Sequence, residues 1–223
     1  MDKQAILKRI AELGLLTVLR APDLAGARRA VDTLVEAGVL GIEITYSTPD
    51  AASVIADVKQ SYGDEVLVGT GTLVTHAQVA EAEEAGASYL VSPGFDDEVV
   101  ASMRATSLPA MAGVPTPTEV MMRGVRVSVD VMKLFPGSLG SPSYLRSLRG
   151  PFPDVPLMPT GGISADNVGD WLAAGAIAVG AGGELASAGD ISSGDFAGIR
   201  EKGRRFLTAI HQARADAAPG ASR

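Results

Sequence analysis

Short apolar runs rich in β-branched residues alternate along this chain with longer stretches whose apolar positions recur every three to four residues, the patterns of strand and amphipathic helix. A charged amphipathic helix over residues 1–10 precedes the repeat. Residues 15–20 then read as a short buried strand, and 24–37 as a helix stopped by Gly38. A second strand at 40–45 leads through Ser47-Thr48-Pro49 into a helix with a hydroxyl cap and proline in its first turn. Further strands are expected at 66–71, 88–91 and 108–112, with helices over 75–85, from Asp96-Asp97-Glu98, and from a capping-box pattern at Thr116 and Glu119. A sixth strand at 127–136 is followed by a short helix over Tyr144-Leu145. A seventh at 155–160 ends in Gly161-Gly162, with Ser164 capping the next helix. An eighth at 176–179 runs into Gly182-Gly183, and the last helix spans 195–214.

Eight strands roughly 25 residues apart, alternating with helices, predict a (β/α)₈ barrel, an α/β TIM barrel with an extra N-terminal helix. A doubly wound open sheet would place its glycine-rich turn after the first strand. Here that turn is Leu19-Arg20-Ala21-Pro22-Asp23, and the glycine pairs follow strands seven and eight, as barrel anion sites do. One domain over 1–214 and a disordered tail over 215–223 complete the expected organisation.

The 223 residues, 46% hydrophobic, suffice for one large core. A net charge of −7 without a basic stripe argues against a nucleic-acid partner. The absence of cysteine removes disulfides, thiolate metal sites and a catalytic thiol. No apolar run approaches membrane-spanning length, so a cytoplasmic protein with no membrane partner is expected.

Two charges break the apolar strands. In the run from Val127 to Pro136, alternation places Lys133 on the face of Val127, Val129, Val131 and Phe135. A desolvated lysine loses its proton more readily and becomes a nucleophile able to form a Schiff base, although a snorkelling or ion-paired lysine is the plainer interpretation. Glu43, between Ile42 and Ile44, is the second, and beside Lys133 becomes a candidate general acid/base. Arg20, Thr45, Thr72, Pro93 and Thr160 also fall at strand C-terminal ends, the catalytic side of a barrel. The two glycine pairs in adjacent loops let backbone amides approach an anion. His76 and His211 lack ligand spacing, so no metal site is expected.

The segments Gly41-Ile42-Glu43-Ile44-Thr45 with Thr48-Pro49, Val68-Gly69-Thr70-Gly71-Thr72, Ser92-Pro93-Gly94, Lys133-Leu134-Phe135-Pro136 and Pro159-Thr160-Gly161-Gly162-Ile163 together resemble one family. It comprises the class I 2-keto-3-deoxy-6-phosphogluconate (KDPG) and 4-hydroxy-2-oxoglutarate (KHG) aldolases, and the resemblance runs from Ile10 to Phe206. It implies that Lys133 forms a Schiff base and Glu43 moves protons, with Thr72, Pro93 and Phe135 lining a pocket for a small 2-keto acid. It implies phosphate contacts from the amides of Gly161, Gly162, Gly182 and Gly183, no cofactor, and a homotrimer. Three positions depart from the pattern: Ser47 stands where an arginine is frequent, Gly183 where a serine is, and Ala112 where a proline is. Arg20 is therefore the expected cation for the substrate carboxylate. A 6-phosphogalactonate-type aldolase, a phosphosugar isomerase and a phosphate-ligand-binding barrel without turnover are the rival readings.

Overall fold

The computed structural model describes residues 1–127 and 129–217. Helix α1 (Lys3–Leu13), capped by the Asp2 carboxylate on the Ala5 amide, leads into β1 (Leu15–Leu19). There follow α2 (Leu24–Glu36), β2 (Gly41–Thr45), α3 (Ala51–Tyr62), β3 (Leu67–Gly71), α4 (His76–Glu84), β4 (Leu90–Ser92), α5 (Asp97–Ala105) and β5 (Ala110–Gly113). The second half begins with α6 (Pro117–Glu119), prolonged by a π-helical stretch Val120–Val125, and continues with β6 (Val131–Leu134), α7 (Pro142–Arg149), β7 (Leu157–Pro159), α8 (Val168–Ala173), β8 (Val179–Ala181), α9 (Ala188–Ser193) and α10 (Phe196–Ala217). All strand pairs are parallel, in the order β7-β6-β5-β4-β3-β2-β1-β8. The circle closes between β7 and β8 through a single bridge, Thr160 to Gly180. This is the (β/α)₈ barrel with the extra N-terminal helix.

Two cores follow from strand alternation. Outward residues such as Leu15, Leu19, Ile42, Ile44, Val68 and Leu90 join the inner faces of the helices. Inward residues Leu16, Leu67, Tyr89, Val91, Met111, Val131 and Met158 fill the barrel, and Ile6 and Ile10 of α1 pack on them. Helix α1 thus plugs the N-terminal end of the barrel, leaving the opposite rim for chemistry.

Several boundaries differ from the sequence pattern. The strand expected at 127–136 is only Val131–Leu134: Val127 still belongs to helix, and Ser128 lies outside the described residues. Asp130 marks the entry, its carboxylate accepting from the Ala110 amide (2.8 Å) and from Lys3 (3.1 Å). Neither Ser47 nor Thr48 caps α3. Its N-cap is Asp50, and the Thr48 hydroxyl instead accepts from the Ala21 amide at the end of β1 (3.1 Å). Ser164 does not cap α8; Asn167 precedes that helix and turns its side chain back into the loop. The last helix continues to Ala217, so 215–217 are helical, and the remainder of the expected tail, 218–223, lies outside the described residues.

Candidate active site

Inside the barrel, near the C-terminal ends of its strands, Lys133 Nζ donates to Glu43 Oε1 at 3.3 Å. The lysine side chain is 5% exposed and that of the glutamate 0%, so the pair is out of bulk water. Desolvation costs several kcal/mol per ion, and a single contact at 3.3 Å leaves much of it uncompensated, so the pair is a poor stability device. The Phe135 ring, its centroid 5.2 Å from Nζ, covers the amine on another side. Lys3, Lys8, Lys59 and Lys202 are ion-paired at the surface with side chains at least 30% exposed.

Room for the Glu43 side chain comes from β3. A Cβ at Gly71 would lie 1.8 Å from Glu43 Oε1, so any larger residue there would displace the carboxylate. The next residue, Thr72, has φ of 62°, a conformation costly for a β-branched side chain, and such strain concentrates at functional rims. Pro93 follows β4 and lies in a separate surface depression with Leu73, Val74 and Phe95.

Arg20, Phe135, Gly161, Gly162, Gly182 and Gly183 line one cavity of about 310 Å³ together with Val18, Thr160 and Glu184. Six of the ten residues expected at the site are therefore gathered there. Lys133 and Glu43 lie deeper, connected to the cavity through Phe135, while Thr72 and Pro93 stand outside its lining. Gly161 and Gly162 have φ of 92° and 74°, which glycine adopts without strain. Asn167 fixes their loop, donating from Nδ2 to the Gly162 carbonyl (2.9 Å) and accepting from the Ser164 amide (3.0 Å).

Ser47, unable to supply charge, orients it. Arg20 Nε donates to Ser47 Oγ at 2.7 Å; Ser47 and Thr45 hydroxyls are 2.8 Å apart; Thr45 Oγ1 donates to the Leu19 carbonyl at 3.1 Å. With the Thr45 hydrogen committed to Leu19, Ser47 donates to Thr45 and accepts from Arg20, and the guanidinium terminal nitrogens have no hydrogen-bond partner among the described residues. Sequence reasoning missed this relay, as well as Asn167 and the acidic Glu184 beside the glycines. A hydrogen bond between a strand end and a neighbouring loop leaves no periodic trace. Among the described residues no group of three or more His, Asp or Glu is placed to hold a metal ion, and no helix is long and apolar enough to cross a membrane.

An eight-stranded parallel barrel that buries an amine beside a carboxylate near the C-terminal ends of its strands, with a loop-lined cavity above, places this chain among the (β/α)₈ barrels whose C-terminal rim carries their chemistry. Residues 6–202 match the family described as KDPG and KHG aldolase. The chain is 32% identical over 205 residues to 2-dehydro-3-deoxy-phosphogluconate aldolase of Treponema pallidum, covering 92% of this chain and 95% of that one. It is 29% identical over 181 residues to 2-dehydro-3-deoxy-6-phosphogalactonate aldolase of Escherichia coli, covering 80% and 87%. Its structure superposes with a TM-score of 0.82, at 26% identity and over 90% of this chain and 97% of the other, on KDPG aldolase of Legionella pneumophila with pyruvate captured at low pH as a covalent carbinolamine. The chain belongs to the KDPG and KHG aldolase family and is a lyase, which sets aside the isomerase and the turnover-free binding barrel.

Proposed function

We propose that this aldolase works through a Schiff base on Lys133, cleaving a 2-keto-3-deoxy-6-phospho sugar acid or 4-hydroxy-2-oxoglutarate to pyruvate and an aldehyde. The observation that carries this reading is the buried Lys133–Glu43 contact. The Nζ lone pair adds to C2, and loss of water from the carbinolamine leaves a protonated imine. Electrons of the C3–C4 bond flow into the imine as Glu43 takes the C4 hydroxyl proton through a water, releasing glyceraldehyde 3-phosphate or glyoxylate. Glu43 returns the proton to C3 of the enamine, and water then frees pyruvate and the amine. No cofactor enters. The amides of Gly161, Gly162, Gly182 and Gly183 would receive the phosphate, and Thr72 and Pro93 would flank the keto-acid end.

Arg20 is proposed as the cation for the carboxylate, which suits its planar fork. One observation favours a second role: the guanidinium shares the glycine-lined cavity, where the distal phosphate would sit. Arg20→Ala separates them, because loss of pyruvate affinity supports the carboxylate and loss confined to phosphorylated substrates supports the phosphate. The homotrimer stays a proposal carried by the resemblance, and sedimentation velocity tests it. The mechanism itself is tested by borohydride in the presence of pyruvate. A stable adduct at Lys133 is expected, and its absence there, or labelling only of surface lysines, refutes the Schiff base.

A further inference from the structure

Strand β3 presents glycine at two successive inward positions, and each gap is filled from a neighbouring strand. A Cβ at Gly71 would meet Glu43 of β2, and one at Gly69 would lie 2.6 Å from three ring carbons of Tyr89. Glu43 is the register partner of Gly69, and Tyr89, just before β4, is tied to the same strand by the Thr70 amide donating to its carbonyl (3.0 Å). The phenol ring and the carboxylate therefore occupy one stretch of barrel interior over one strand, each residue 0% exposed. The Tyr89 hydroxyl and Glu43 Oε2 are both buried without a hydrogen-bond partner among the described residues. One is a donor and the other an acceptor, and leaving either unpaired in a dry interior is costly. Burial, and then the Glu43 charge, push the Tyr89 phenol well above its ordinary value, so it keeps its proton.

We propose that Tyr89 is a positioning residue for Glu43, its phenol donating through one buried water to Oε2 while Oε1 stays with Lys133. The inference rests on the reading of Glu43 as the proton carrier. Of the strands beside Glu43, β6 contributes Lys133, β3 offers Gly69 and Gly71 above the apolar Leu67, and β1 brings Val18 alongside Glu43 with Arg20 at its end; the unpartnered Thr160 hydroxyl stands against Gly180 at the β7–β8 junction. A donor on Oε2 favours the carboxylate over the acid and fixes the direction in which Oε1 faces the substrate.

The test is the pH profile of proton exchange at the pyruvate methyl group in Tyr89→Phe, which keeps the ring that fills the gap over Gly69. Losing the donor makes the carboxylate easier to protonate, so the acid limb should move to higher pH by about one unit, roughly a tenfold slower exchange on that side. Pyruvate KM and borohydride trapping at Lys133 should be unchanged. Placing 3,5-difluorotyrosine at position 89 alone, a stronger donor, should move the limb the other way, a response that a packing role would not give. Independently of turnover, the infrared carboxyl band of Glu43, identified by its loss in Glu43→Gln, should shift in Tyr89→Phe. Superposable limbs and an unshifted band would overturn the proposal. Wild-type exchange in Glu43→Gln would instead sink the proton-carrier reading, with the infrared band still deciding the Tyr89 contact.

Discussion

Glu43 and Lys133 were legible because charge interrupts apolar strands whose neighbours all face a core, and the 3.3 Å contact shows the two interruptions meeting. Glu43→Gln is nearly isosteric, so the variant should fold and still give the trapped pyruvate adduct. Methyl proton exchange should fall by at least ~10²-fold, the lower range for removing a general acid/base. Isotope exchange followed by NMR checks both, and undiminished exchange would make Glu43 structural. Tyr89 was not legible, since an aromatic in a strand reads as packing until its hydroxyl and Glu43 Oε2, on the same stretch of β3, are both found without partners among the described residues. Ser47 was misjudged for a related reason: judged by charge it offers nothing, while its hydroxyl passes a hydrogen bond from Arg20 to Thr45. Ser47→Ala should therefore weaken whichever anion Arg20 holds by a smaller factor than Arg20→Ala, since it removes one bond that orients the guanidinium but leaves the charge in place. Equal binding in Ser47→Ala and wild type, measured by calorimetry, would show that the guanidinium orients itself.

Among elements, β3 is the one whose sequence is set by its neighbours. Gly71→Ala would place a methyl where Glu43 Oε1 now lies. Overpacking of that kind costs about 1–3 kcal/mol, and here it also displaces the Glu43 carboxylate proposed to carry the proton. The expected outcome is a modest fall in denaturation midpoint with a far larger loss of exchange activity; full activity would mean that the carboxylate has a second resting place. Helix α9 escaped the sequence pattern because six residues are too few for a period, although Ser187 and Asp190 carry the capping-box signature. Burial raises the Asp190 carboxyl, but bonds from Lys202 and from Ser187 outweigh it and hold the group below its ordinary value. A depressed carboxyl stabilises the fold above its unfolded-state value and loses that contribution as pH falls through its folded-state value. Asp190, at the third position of the helix, bonds back to the Ser187 amide, so Asp190→Ala should cost about 1 kcal/mol at pH 7, the order of one such hydrogen bond, and less at pH 3. Urea titrations at the two pH values check it, an equal deficit at both counting against the charge. The strand predicted over Val127 failed in the opposite sense, because β-branched propensity was overridden by the helical crossover between β5 and β6.

For the whole molecule, the order of elements was readable from the spacing of apolar runs, whereas the packing of α1 under the barrel was not. An amphipathic helix shows that one face is buried but not against which surface. Ile10, 0% exposed, belongs to the barrel interior at the end remote from Lys133. Ile10→Ala should cost ~2–5 kcal/mol of stability and leave kcat and KM near wild type below the melting range. A change in KM comparable to that of Arg20→Ala would mean that the two ends of the barrel are mechanically coupled.

The join between β7 and β8 carries a consequence of another kind. Every other neighbouring strand pair belongs to the continuous sheet, but this one is joined by the Thr160–Gly180 bridge, by the Ile177 amide on the Leu157 carbonyl (3.1 Å), and at its upper end by the Gly161 amide reaching the Gly180 carbonyl at a long 3.4 Å. The two glycine loops rise from opposite sides of that seam. An anion grasped by both would act as a clasp, adding a tie across the one junction that lies outside the continuous sheet. Deuterium uptake at Gly161 and Gly180 should accordingly slow when inorganic phosphate is added, while uptake across β2 and β3 stays the same.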